Sequence, residues 1–111
     1  MATTTFVRLA RRDDVRPGEG LRVDATDFPI ALFDVEGRVL AIDDGCARCG
    51  SSLADGTVHG TTVACGGCGW QYDLGTGAVV GIPALRLDTY EVTVADGAVM
   101  LATPRGLHRP R

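Results

Sequence analysis

The sequence has no lysine: its 11 basic residues are all arginine, set against 14 acidic residues, for a net charge of −3 over 111 residues. A mildly acidic chain without a basic patch is poorly suited to nucleic acid, and no such partner is expected. No apolar run approaches the roughly 20 residues of a membrane-spanning helix, so no membrane partner is expected either. The opening MATTTFVRLARRDD lacks the long apolar stretch of a secretory signal, and the expected location is the cytoplasm. No stretch keeps a helical period, and 15 glycines imply many tight turns, which argues against a helical bundle. There is no nucleophile–base pairing and no glycine-rich phosphate loop ahead of a helix. The acidic neighbours Asp13-Asp14 and Asp43-Asp44 would face opposite ways on strands, so they make weak carboxylate dyads. Histidine is scarce, with only His59 and His108.

What the chain does have is short alternating and apolar segments divided by turn residues. Thr5–Leu9 and Leu21–Ala25 alternate, and Arg16–Gly20 between them reads as a turn. The runs at 29–34 and 38–42 flank Val35-Glu36-Gly37 and read as a hairpin, as does 90–101 around Ala95-Asp96-Gly97. Thr61–Ala64 and Trp70–Asp73 read as short strands, Gly75–Gly77 as a turn, and 78–82 as an apolar run up to Pro83. The expected class is all-β, a small antiparallel sandwich or barrel forming one domain over 1–111. The segment 103–111 reads as a frayed tail.

All four cysteines lie in CARCGSSLADGTVHGTTVACGGCGW, as two Cys-x-x-Cys-Gly units with fifteen residues between Cys49 and Cys65. A two-residue gap lets both thiolates of one turn face one metal, and glycine after the second cysteine opens conformations closed to other residues. Backbone N–H groups can then point at sulfur. Both pairs are expected on loops, the first after a hairpin and the second joining two short strands, together forming a two-loop metal-binding subdomain. Cys46, Cys49, Cys65 and Cys68 are therefore the candidate metal ligands. In a reducing compartment such a set suits Zn²⁺, one iron or a 2Fe–2S cluster, while a metal-free thiol redox pair lacks the usual strand–helix setting.

The same stretch resembles the Rieske-type ferredoxin family, whose loops read Cys-x-His-x-Gly and Cys-x-x-His-Gly-Trp-x-(Phe/Tyr)-Asp. Here CARCGSSL at 46–53 and CGGCGWQYD at 65–73 occupy those places. Thr76-Gly77, Pro83-Ala84 and YEVTVADGAVML follow, and the likeness extends over about residues 5–102. It implies a Rieske-like fold and a small soluble carrier of single electrons from a reductase to an oxygenase-type enzyme, with no substrate site of its own. The departures fall on the family's ligands. Arg48 stands at the first histidine position, with Cys49 beside it, and Cys68 stands at the second. Arginine cannot bind a metal. The family implies a 2Fe–2S cluster, whereas two matching knuckles suit a single Zn²⁺, as in a non-redox binding module, or a single iron, as in a rubredoxin-like carrier. Histidine ligands bring Rieske potentials to about −150 to +300 mV, against about −400 mV for all-cysteine plant-type clusters. An all-thiolate centre would lose their proton coupling and be the stronger reductant.

Several neighbours have alternative readings. Trp70 is a wall beside the metal or an ordinary core aromatic. Arg48 offsets thiolate charge, meets an acidic partner, or is a solvated loop residue. Tyr72 and Asp73 support the ligands or simply end a strand. Leu53, Ile82 and Pro83 form an apolar rim, as a docking face or as plain core. His59 reads as a turn or surface residue.

Overall fold

The computed structural model describes residues 5–24 and 28–103. Among the described residues, twelve strands form three sheets whose named pairings are all antiparallel. The strands are β1 (Thr5–Arg11), β2 (Gly20–Val23), β3 (Ile30–Val35), β4 (Arg38–Asp43), β5 (Thr57–His59), β6 (Thr62–Ala64), β7 (Gln71–Asp73), β8 (Ala78–Val79), β9 (Ile82–Arg86), β10 (Thr89–Tyr90), β11 (Val92–Ala95) and β12 (Ala98–Thr103). The sheets run β1-β12-β11, β10-β4-β3-β2 and β5-β6-β7-β8-β9. No helix among the described residues is long and apolar enough to cross a membrane.

Strand β3 explains the architecture. Every residue of it is buried. Ile30 and Leu32 enter one core with Leu9, Val99 and Leu101, while Ala31, Phe33 and Val35 enter a second with Val63, Tyr72 and Val79. Alternate side chains leave opposite faces of a strand, so a strand covered on both sides needs a continuous apolar run. The second core also contains Cys46 and Cys65, so the sheet that carries the second cysteine loop is packed directly onto β3.

The expected hairpins are present. Glu36-Gly37 and Asp96-Gly97 have positive φ at both residues, the two-residue turn that matches strand twist. Three readings change. The segment before Gly60, which has no strand in the sequence reading, holds β5, which pairs with β6 from Thr57↔Ala64 to His59↔Thr62. The apolar run from Ala78 does not stop at Pro83: it folds back as β8 and β9, and Pro83 is tolerated because β9 is an edge strand. The stretch expected as one strand from Tyr90 is split at Glu91, so that β10 pairs with β4 and β11 pairs with β12. Ala25 and the tail from 104 onward, with His108, lie outside the described residues.

Candidate metal centre

The two cysteine loops repeat one another bond for bond. In the first, which follows β4, the Cys46 N–H donates to the Ser51 carbonyl at 2.9 Å and the Gly50 N–H donates to the Cys46 carbonyl at 2.9 Å. In the second, between β6 and β7, the Cys65 N–H donates to the Trp70 carbonyl at 2.7 Å and the Gly69 N–H donates to the Cys65 carbonyl at 2.9 Å. Gly50 and Gly69 close the turns at φ 79° and 81°, a region that a side chain would strain. The first loop is anchored from below by buried Asp44. Its carboxylate accepts the Ser52 hydroxyl and the Ala54 N–H at 2.9 Å each.

Each loop buries its first cysteine and presents its second outward. Cys46 and Cys65 are buried, Cys68 is half-buried and Cys49 is exposed. The four Sγ atoms all lie within 4.8 Å of one another. Two approaches join the loops crosswise, Cys46 to Cys68 at 3.7 Å and Cys49 to Cys65 at 3.5 Å. Two sulfurs on one metal with bonds of about 2.3 Å stand about 3.8 Å apart in a tetrahedron, so either pair is spaced to share a metal. Four thiols are also a full ligand complement for a 2Fe–2S cluster.

The surroundings favour thiolate at Cys46 and Cys49. Burial would raise the Cys46 thiol, but hydrogen bonds from the Tyr72 hydroxyl, from the Cys49 and Arg48 N–H groups and from Cys65 outweigh it and bring it down to about 6. The Ser51 hydroxyl and N–H lower Cys49, whose Sγ lies 3.4 Å from the Ser51 Oγ. At Cys68 the Trp70 N–H pulls downward, yet burial and the other three cysteines push the thiol up to about 11. Cys46 therefore loses its proton well before Cys68. Tyr72 is itself pushed upward, first by burial and then by its bond to Cys46, so it stays a hydroxyl donor.

Tyr72 belongs to the site, whereas Asp73 belongs to the turn that follows: its carboxylate accepts the Gly75 and Thr76 N–H groups at 2.8 and 3.0 Å. Trp70 packs against the core that holds Cys46 and Cys65, and it also carries the Arg48 guanidinium 5.5 Å from its ring centroid. Leu53 is fully buried and forms no rim, while Ile82 and Pro83 are exposed. His59 is exposed at the end of β5. The acidic neighbours form no dyad: Asp13 and Asp14 are exposed, Asp44 is spent on the loop, and Asp43 accepts the Tyr90 hydroxyl. Two residues had no sequence reading. Ser51 follows the first knuckle glycine as Trp70 follows the second, so the loop repeat itself marks it. Gly67 is set by a contact between loops, since a Cβ there would meet Ser51 and come within 3.2 Å of the Cys49 Sγ.

The family model for the Rieske [2Fe-2S] domain matches residues 5–91. The 3-phenylpropionate/cinnamic acid dioxygenase ferredoxin subunit of Escherichia coli is 37% identical over 93 residues, covering 82% of this chain and 87% of that protein. The fold superposes on the Sphingomonas yanoikuyae B1 ferredoxin with a TM-score of 0.82 and 31% identity, covering 90% of this chain and all of that one. It also superposes on a chain from the complex of reduced oxygenase and oxidised ferredoxin in carbazole 1,9a-dioxygenase, with a TM-score of 0.78, 28% identity, and coverage of 93% of this chain and 97% of that one. These relatives are electron carriers rather than catalysts, and they support a 2Fe–2S cluster as the cofactor. From its sheets to its two loops, the chain belongs to the Rieske [2Fe-2S] domain family, among the small electron-transfer ferredoxins.

Proposed function

We propose that this chain carries single electrons from a reductase to an oxygenase-type enzyme, with Cys46, Cys49, Cys65 and Cys68 as the ligands of its 2Fe–2S cluster. One observation carries the assignment: four thiols from two matching loops converge, with Cys49 at the solvent edge and Cys46 and Cys65 in the core. When bound, the cluster takes up and releases one electron. The protein holds the ligands in register, donates hydrogen bonds to sulfur, and covers the inner side with Tyr72 and Trp70. Exposed Val80 and Ile82 line a shallow hollow beside Trp70, and Leu85 is exposed on the same β9 strand, which gives a partner an apolar surface close to the centre. The dioxygenase systems named for the relatives supply the partner class. Free clustered thiols suit the reducing cytoplasm, and the stretch works as a single domain.

With no histidine ligand, the centre works as a lower-potential carrier without ligand-based proton coupling. Protein from iron-replete cells should show visible absorbance that dithionite bleaches, with two irons and two acid-labile sulfides per chain. A colourless protein holding one zinc would overturn the reading.

The compactness of the sulfur set favours a second reading, a single tetrahedral Zn²⁺ or iron, because all four Sγ already lie within 4.8 Å. It requires one metal ion per chain and no labile sulfide. Zinc would make the chain a non-redox module, and iron would make it a rubredoxin-like carrier.

A further inference from the structure

Between Arg38 and Arg86 the chain has a single arginine, Arg48, and no lysine, against Asp43, Asp44, Asp55 and Asp73. That window contains both cysteine loops and the strands β5 to β8. Its one fixed cation stands between the two cysteines of the first loop, in the position where the family carries a histidine.

The side chain is exposed, but it is held in place. Its guanidinium lies 5.5 Å from the centroid of the Trp70 ring, so a residue of the first loop rests on the residue that follows the second. A cation over an indole face is held by the ring quadrupole, and Trp70 is itself fixed against the core. The backbones on both sides of this stack face sulfur, the Arg48 N–H towards Cys46 and the Trp70 N–H towards Cys68. The stack holds the positive charge on the loop that carries Cys46 and Cys49, and screening acts over a Debye length of about 10 Å at ordinary ionic strength. Four thiolates concentrate negative charge there, and an added electron increases it. A nearby cation lowers the energy of the reduced form more than that of the oxidised form.

We propose that Arg48, held on Trp70, is a positioning residue that offsets the thiolate charge and raises the reduction potential of the centre, an inference that rests on the electron-carrier reading above. It takes over by charge part of what a neutral histidine ligand does by coordination.

Redox titration of the cluster-loaded full chain tests it. Arg48→Gln should lower the midpoint with cluster content and spectrum unchanged. Arg48→Lys should stay nearer the wild-type value, and the gap between wild type and Arg48→Gln should narrow as salt is added. A midpoint for Arg48→Gln equal to that of wild type at low salt, or a lysine variant as low as the glutamine one, overturns the proposal. If the isolated protein proves to hold no redox-active metal, the carrier reading fails by itself, and Arg48 is then tested by Co²⁺ titration of the apo-protein. Binding of a divalent ion by four thiolates leaves a net negative site, so Arg48→Gln should bind Co²⁺ about tenfold more weakly. Equal affinities would overturn the charge-offset role.

Discussion

The Tyr72 hydroxyl lies 3.2 Å from the Cys46 Sγ while it accepts the Ala47 N–H at 2.9 Å. Accepting from the backbone leaves its own hydrogen free for sulfur, so one buried phenol from the strand after the second loop fixes both the position and the charge state of the first loop. Tyr72→Phe should therefore act in three ways. The orphaned Ala47 N–H should cost about 1–3 kcal/mol of stability. The midpoint should fall, because a donor to sulfur favours the reduced form. In the apo-protein the first thiol to ionise, near pH 6 in the wild type, should move up towards the ordinary value of 9.0. Following thiolate absorbance against pH would show the shift, and an unmoved first step would refute the role.

Gly66 and Gly67 are neighbours between the second pair of cysteines, yet they should respond differently to alanine. A Cβ on Gly67 would collide with Ser51 and approach the Cys49 Sγ to 3.2 Å, whereas one on Gly66 would meet only the Asp55 carbonyl at an ordinary 3.7 Å. Gly67→Ala should push the loops apart and lower retained metal and Tm together. Gly66→Ala should leave both close to wild type. Metal analysis and thermal melts of the pair check this, and equal behaviour would place the loops further apart than these distances allow.

Much of this was legible in the sequence because it is local. Cys-x-x-Cys-Gly sets its own turn, so the four candidate ligands follow from spacing, and Glu36-Gly37 and Asp96-Gly97 set their hairpins through backbone conformation. What was not legible depends on contacts distant in sequence. Thr57–His59 is polar and pairs as β5 only because β6 lies beside it. The break at Glu91 arises because β4 and β12 compete for one segment. Tyr72 and Asp73 looked equivalent as possible supports, and strand alternation separates them by sending Tyr72 into the core. Leu53 looked like rim and is core because buried Asp44 pulls its loop inward.

Arg12 ties β1 to the β3–β4 hairpin by donating to Asp34 at 2.8 Å. That guanidinium, together with the Gly37 N–H and against burial, holds the Asp34 carboxyl below its ordinary 3.8. A carboxylate depressed in the folded state adds stability at pH values above 3.8, and that stability is lost as pH falls below it. Asp34→Asn should be less stable than wild type at neutral pH, and the difference should shrink on acidification below about pH 4. Urea melts at several pH values would show the convergence, and a constant gap would mean that the carboxylate charge is not what stabilises this corner.

Cys49 and Arg48 are adjacent, and only one of them can stand in for the family's first histidine. Cys49 repeats Cys68 in the loop pattern, and its Sγ lies 3.5 Å from the Cys65 Sγ, so it has a partner sulfur for a shared metal. Cys49→Ser should therefore lose most of the bound metal, as should Cys68→Ser, and absorbance per chain and iron content should fall in parallel. Ser51→Ala, which removes only the hydroxyl 3.4 Å from the Cys49 Sγ, should retain the metal. If Cys49→Ser keeps its full metal content and spectrum, Cys49 is not a ligand and the fourth position belongs to solvent. The matching of the two knuckles would then be a matter of backbone alone.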